Sequence, residues 1–187
     1  MIGVGDLKRG ITVELDGEPY QVVEYTQQKM QQRAPVLHLK LRHLRTGRLV
    51  ERTFSAYHLH LPIAEVDHRS AQYIYSDGDL FYFMDSESFE QFPISREKLG
   101  DVLNYLKEQT EVSLLFYKEE ALTVELPITV DLKVAEAPPA FRGDTAQGGN
   151  KPATLETGLV VQVPLFVAVG DVVRVDTRTG EYLTRVS

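Results

Sequence analysis

Cysteine is absent from this 187-residue sequence, which excludes disulfides, thiolate metal sites and a cysteine nucleophile. No apolar run approaches the length of a membrane span, and the N-terminus has no apolar core typical of a signal peptide. We therefore expect a cytoplasmic protein that does not bind membranes.

Catalytic motifs are also lacking. The sequence has no zinc-protease helix motif, no nucleophile elbow and no phosphate-binding loop. His58 and His60 could share one face of a strand, but two histidines without a third ligand indicate surface residues or RNA contacts rather than a metal site. We expect no catalytic residues, no metal and no cofactor, so an enzyme is the least favoured class.

Charge is unevenly distributed along the chain. The net charge is −7. Residues 1–64 contain nine Lys/Arg and six Asp/Glu, a net of +3, and residues 65–187 contain eleven and twenty-one, a net of −10. A basic head on an acidic body suits docking of one end onto phosphates, whereas the alternative is drift in surface composition.

Short strands and tight turns dominate the pattern, which predicts an all-β fold. Asp16-Gly17 and Asp77-Gly78 between apolar stretches are typical hairpin turns. Val36 to Leu44 alternates, with Leu39, Leu41 and Leu44 expected on one face and cations on the other. Three consecutive small β-barrels are predicted, at residues 1–64, 65–127 and 128–187, and the second and third fit oligonucleotide-binding (OB) barrels.

Two segments interrupt this pattern. Ser95 is the predicted N-cap of a helix whose apolar face carries Leu99, Val102, Leu103 and Leu106. Pro138 to Thr157 is polar and rich in Gly, Pro and Thr, and is predicted to be a long functional loop. The aromatic run Tyr73 to Phe83 could stack on bases, but in an acidic domain core and cross-strand packing is favoured.

The cations of the basic unit are the candidate phosphate ligands. The predicted RNA phosphate contacts are Lys40, Arg42, Arg45 and Arg48. A solvated strand face is the alternative for the same residues.

The stretch from Lys151 to Gly170 carries eight constrained positions at the spacing of the elongation factor P signature. They are Lys151, Ala153, Gly158, Val161, Val163, Pro164, Val167 and Gly170. Asp6 to Gly10, Glu51 to Phe54, Phe83 to Asp85, Arg142 to Thr145 and Val175 to Tyr182 also stand in family order. The chain resembles elongation factor P along essentially its whole length.

This resemblance implies an SH3-like or KOW-like N-terminal barrel and two OB barrels in an elongated, tRNA-like shape. It implies a monomer that binds both ribosomal subunits between the P and E sites and contacts peptidyl-tRNA. There it would relieve stalling at consecutive prolines. The loop Arg142, Gly143, Asp144 and Thr145 would lie near E-site mRNA.

The tip of the first domain departs from the family pattern. The family usually has a glycine-rich loop with one lysine or arginine that carries a post-translational extension. The corresponding residues here are Lys29, Met30, Gln31, Gln32, Arg33, Ala34 and Pro35. Gln32 stands at the usual modified position and cannot accept a lysine-type or arginine-type modification, whereas Arg33 could.

Three interpretations of this tip remain open: the factor acts unmodified, Arg33 takes the role, or the chain is a paralogue with other arrest targets. A general RNA-binding OB protein is the rival from another class. Because the tip lacks glycine and contains Pro35, we expect it to be stiff, and glycine at Gln31 and Arg33 should lower activity.

Overall fold

The computed structural model describes residues 1–31, 33–140 and 149–187, without the side chain of Met30. Its strands form three sheets, of four, five and five strands. This confirms the predicted all-β fold. In the part of the chain that the structure describes, no helix is long and apolar enough to cross a membrane.

The first sheet has the simple order β1-β2-β3-β4. Its strands are β1 (Thr12–Leu15), β2 (Glu18–Met30), β3 (Arg33–His43) and β4 (Leu49–Ser55). Asp16 and Gly17 connect β1 to β2 with φ of 53° and 80°, and Leu15 pairs with Glu18. The predicted Asp-Gly hairpin is therefore confirmed, because consecutive positive φ angles define the two-residue turn that matches strand twist.

Alternation along β3 separates its two faces, as predicted. Leu37, Leu39 and Leu41 are buried in the core of the first sheet. Leu44 was expected on the same face, and this was wrong, because Leu44 follows the end of β3 at an even-numbered position. It packs instead in a separate cluster with Tyr117 and Leu122.

The second sheet has the order β7-β6-β5-β8-β9. Its strands are β5 (Val66–Asp77), β6 (Leu80–Asp85), β7 (Gln91–Ser95), β8 (Glu111–Tyr117) and β9 (Glu120–Glu125). Asp77 pairs with Leu80, so the predicted turn at Asp77-Gly78 lies between β5 and β6.

The predicted helix is present but shorter than its apolar pattern indicates. Helix α1 spans Arg96–Leu99, and the Ser95 hydroxyl accepts the Lys98 N–H at 3.4 Å, which confirms the N-cap. Gly100 adopts φ 51° and ψ −124°, which ends the α-helix, and a 3₁₀ segment, Gly100–Asn104, follows. Leu99 and Leu106 are buried, whereas Val102 and Leu103 are partly buried, so the four residues do not form one helical face.

The third sheet repeats the strand order of the second, as β12-β11-β10-β13-β14. Its strands are β10 (Thr129–Glu136), β11 (Asn150–Leu155), β12 (Val160–Pro164), β13 (Val172–Asp176) and β14 (Tyr182–Arg185). Strand β11 lies inside the segment Pro138 to Thr157, so the prediction of an uninterrupted loop there was wrong. Lys151, Ala153 and Leu155 alternate inward as buried residues, and Lys151 concealed this alternation in the sequence.

The described chain forms two compact units. One contains Met1–Arg69 with Ile94–Gly100 and Leu114–Thr123, and the other contains Ser70–Pro93, Asp101–Ser113 and Val124–Ser187. The core of the first sheet belongs to the first unit, and that of the third sheet belongs to the second unit.

Candidate functional site

The β2–β3 hairpin extends beyond the rest of the first sheet. Pairing of β3 with β4 begins at Val36 and Ser55, whereas pairing of β2 with β3 continues to Met30 and Arg33. Beyond Val36 the hairpin is therefore two-stranded. At about 3.3 Å per residue, the three residues of β3 beyond this point extend the hairpin roughly 10 Å past the end of β4.

The end of this hairpin is polar and exposed. Only two residues separate the paired Met30 and Arg33, and Lys29, Gln31 and Arg33 are exposed. Gln32 and the Met30 side chain lie outside the described residues. The two described cations of the tip thus stand at the end of the overhang.

Pro35 lies at an irregularity in this hairpin. From the pair Gln28–Val36 to the pair Met30–Arg33, strand β3 advances one residue more than β2, so a bulge falls at Ala34 and Pro35. Proline has no N–H to donate, and bulges are among the few places where a strand accepts it. The fixed φ of proline and the absence of glycine restrict the conformations of this tip.

At the base of the overhang, the outer face of β3 carries cations among carboxylates. Lys40 is directly opposite Glu24 on β2 and Glu51 on β4. His38 Nδ1 lies 3.4 Å from the Thr53 hydroxyl. Arg42 is exposed. Because opposite charges face each other across the strands, this surface presents alternating rather than uniform charge.

Arg45 is bound within its own unit. Its Nε donates to Glu18 at 2.7 Å and its Nη1 donates to Glu120. Its guanidinium lies 5.9 Å from the centre of the Tyr117 ring. Arg48, in the same turn, is exposed. Of these two candidate phosphate ligands, Arg45 is therefore already paired with carboxylates, whereas Arg48 is exposed.

The remaining candidate residues fall elsewhere. Arg142, Gly143, Asp144 and Thr145 lie outside the described residues. His58 and His60 are exposed, and within the described ranges no group of three or more His, Asp or Glu residues could hold a metal.

The aromatic run belongs to the second sheet. Tyr73, Phe81 and Phe83 are buried. Tyr75 and Tyr82 form a cross-strand pair with stacked rings 4.6 Å apart. This agrees with core and cross-strand packing.

The motif from Lys151 to Gly170 has a structural basis in β11 and the turns on either side of β12. Lys151 is buried, and its Nζ donates to the Pro138 carbonyl at 3.0 Å. Gly158 and Gly170 adopt φ of 88° and 94°, which favour glycine. The motif residues therefore form a strand and turns of the third sheet. The burial of Lys151 and its hydrogen bond to Pro138 are visible only in the structure.

Comparison with protein families gives three matches that together cover most of the chain. Residues 3–57 match the elongation factor P KOW-like domain, residues 66–124 match the elongation factor P OB domain, and residues 130–185 match the elongation factor P C-terminal domain.

Full-length relatives share about half of the residues. Elongation factor P of Carboxydothermus hydrogenoformans is 53% identical over 186 residues, which covers 100% of both chains. Elongation factor P of Thermodesulfovibrio yellowstonii is 47% identical over 186 residues, with 100% of this chain and 99% of the relative covered.

A solved structure resembles part of the fold. Eukaryotic translation initiation factor 5A from Methanococcus jannaschii gives a TM-score of 0.50 at 20% identity, and covers 67% of this chain and 90% of its own. At this identity the likeness concerns the fold alone.

Proposed function

The chain belongs to the elongation factor P family and is a translation elongation factor, and from that membership we propose that it binds the ribosome between the P and E sites. There it positions peptidyl-tRNA and stimulates peptide-bond formation, which relieves stalling at consecutive prolines. The ribosome carries out the chemistry, and the factor contributes no catalytic group.

The observation that carries this proposal is the overhanging hairpin. Its end presents Lys29 and Arg33, both exposed, on a two-stranded projection without glycine. Such a projection can reach a recessed RNA end, and its cations can contact phosphates. Proline is a constrained nucleophile, so ordering the reactants lowers the entropic part of the barrier.

We propose three domains for this role: a tip-bearing domain at residues 1–64, a central domain at 65–127 and a C-terminal domain at 128–187. Each range contains the strands of one sheet, which supports the division. In this proposal the factor acts as a cytoplasmic monomer, and residues 142–145 approach E-site mRNA.

Reconstituted translation of a triple-proline reporter tests the proposal. The protein is produced in cells without modifying enzymes, beside Gln32→Ala and Arg33→Ala. We expect rescue by the unmodified protein, loss of rescue on Arg33→Ala, and retention on Arg33→Lys, which keeps the charge. Gln27→Ala, an exposed position on the same hairpin, is the matched control.

Absence of rescue would contradict the proposal for the unmodified protein. The residue types at the tip favour one alternative at the same site, a paralogue with other arrest targets. The intact mass of the native protein separates these cases. If the recombinant protein lacks a modification, the native protein is heavier than the sequence predicts, whereas a change of target leaves the mass unchanged.

A further inference from the structure

Three hairpin turns in the described part of the chain share one six-residue hydrogen-bonding pattern. They span residues 43–48, 85–90 and 176–181. In each, the N–H of the first residue donates to the carbonyl of the sixth, and the N–H of the fifth donates to the carbonyl of the first, at 2.8 to 3.0 Å.

Side chains complete the same pattern in all three turns. His43, Asp85 and Asp176 each accept the N–H of the third residue, at 3.1, 2.8 and 2.8 Å. Thr46, Ser88 and Thr179 each accept the N–H of the sixth residue, at 3.4, 3.3 and 3.3 Å. The three turns are therefore equivalent, position by position.

The fifth position of this turn requires a left-handed backbone. Gly47 and Gly180 occupy it with φ of 72° and 75°, whereas Phe89 occupies it with φ of 60°. Glycine adopts this region without steric cost, and a bulky aromatic residue is a rare outlier there. The turn at 85–90 thus carries a strained residue where its two counterparts carry glycine.

Packing within the protein does not account for this phenylalanine. Phe89 is 69% exposed. Ser86, Glu87, Ser88 and Glu90 are exposed as well. Strain of this kind persists where the surrounding structure enforces it and is frequent at functional sites.

The turn holds the Phe89 ring on a fixed base. The N–H groups of Glu87 and Ser88 both donate to the buried Asp85 carboxylate, at 2.8 and 3.1 Å. The N–H of Ser86 donates to the Ser70 carbonyl at 2.9 Å. The N–H groups of Phe89 and Glu90 also donate, as described above, so every backbone N–H from 86 to 90 forms a hydrogen bond. The backbone therefore loses little conformational entropy when a partner buries the ring.

The charges beside the ring indicate the chemistry of that partner. Glu87 and Glu90 flank Phe89, and both side chains are exposed. Two exposed carboxylates repel RNA phosphates and attract lysine and arginine. Aromatic residues that fill a pocket carry much of the affinity at protein–protein interfaces, and the rim around them is polar.

We propose that Phe89 anchors a docking site for a cationic protein surface with an apolar recess. The inference rests on the proposed function, because it places that surface on a protein of the ribosome. The phenyl ring enters the recess, and Glu87 and Glu90 pair with basic side chains at its rim.

Phe89→Gly tests the role of the ring without disturbing the turn, because glycine occupies this position in the two equivalent turns. We expect an unchanged or higher melting temperature and an affinity for purified ribosomes that is about tenfold weaker. Gln109→Gly is the matched control, since Gln109 is exposed with φ of 69°. It should show the same thermal effect and unchanged affinity.

A photoreactive phenylalanine analogue at position 89 identifies the contacted surface on purified ribosomes. We expect an adduct with a ribosomal protein, and an adduct with RNA would overturn the protein partner. A lower melting temperature or normal binding of Phe89→Gly would overturn the inference alone. Failure of the wild-type chain to bind ribosomes would overturn the proposed function, and this partner with it.

Discussion

Individual cations in the first sixty-four residues differ in what surrounds them. Arg33 is exposed at the hairpin end, Lys40 faces Glu24 and Glu51, and Arg45 is held by two carboxylates. Residue type and net charge alone could not rank these cations as phosphate ligands, because their carboxylate partners lie on other strands of the fold.

Arg45 is expected to stabilise the fold, unlike its neighbour Arg48. Arg45→Ala should lower the free energy of unfolding by about 1–2 kcal/mol, since it removes the ion pairs with both Glu18 and Glu120. Arg48→Ala, an exposed position in the same turn, should change it by less than about 0.5 kcal/mol. Urea denaturation of both variants is the measurement, and equal effects would contradict the assignment.

Asp176 makes the stability dependent on acid pH. The hydrogen bond from the Arg178 guanidinium, followed by that from the Arg178 N–H, lowers the pKa of Asp176 from 3.8 to about 2. A carboxyl pKa that is lower in the folded state stabilises the fold above the unfolded value, and this stabilisation is lost as pH falls towards the folded value.

Asp176→Asn should therefore be less stable than the wild type at pH 7, and the difference should shrink as the pH falls from 3.8 towards 2. Denaturation midpoints across this range measure it. Asp67→Asn, which removes an exposed ion pair with Arg69, should have little effect at any pH. A constant difference for Asp176→Asn across the pH range would show that its charge is not responsible.

At the scale of elements, the β2–β3 hairpin combines reach with restricted conformation. Its overhang depends on β4 ending its pairing at Ser55, and its stiffness on the bulge at Ala34 and Pro35. The length of the overhang is thus set by strand pairing across the sheet, whereas its stiffness is set by the residues of the tip.

Glycine at the tip should reduce activity without affecting the rest of the fold. In the double variant Gln31→Gly/Ala34→Gly, each glycine costs about 0.5–1 kcal/mol of ordering, so rescue of the triple-proline reporter should require roughly tenfold more protein. Arg33 stays in place, so its charge is not part of the test. Thr184→Gly, on an exposed position of β14, is the control. Undiminished rescue by the double variant would show that stiffness is unimportant.

Local chemistry explains which elements could be predicted from the sequence. The turns at Asp16-Gly17 and Asp77-Gly78 need only the residues they contain, and both were predicted. Strand β11 was missed because Lys151 and Pro152 resemble loop residues, and only their pairing with Val163 and Gln162 of β12 places them in a strand. The equivalence of Phe89 to two glycines was also invisible, since only hydrogen bonds reveal it.

For the whole molecule, the contrast between a net +3 in residues 1–64 and −10 in the remainder gives a test against a general RNA-binding protein. Affinity for ribosomes should fall at least tenfold between about 50 and 200 mM salt, while free tRNA binds weakly throughout. Titrations of both ligands provide the comparison. Equal affinity for free tRNA would favour the general RNA-binding protein.

The strand pairing described above also sets an expected order of events when the chain folds. The pairs of β2 with β3, from Tyr20–His43 to Met30–Arg33, join neighbouring segments, whereas Thr129 of β10 must find Asp176 of β13 across the whole intervening chain. Closing a short loop loses less entropy than closing a long one, so local pairings form earlier. The hairpin that carries the functional tip is therefore expected to be among the first parts of a newly made chain to become native, and the third sheet among the last.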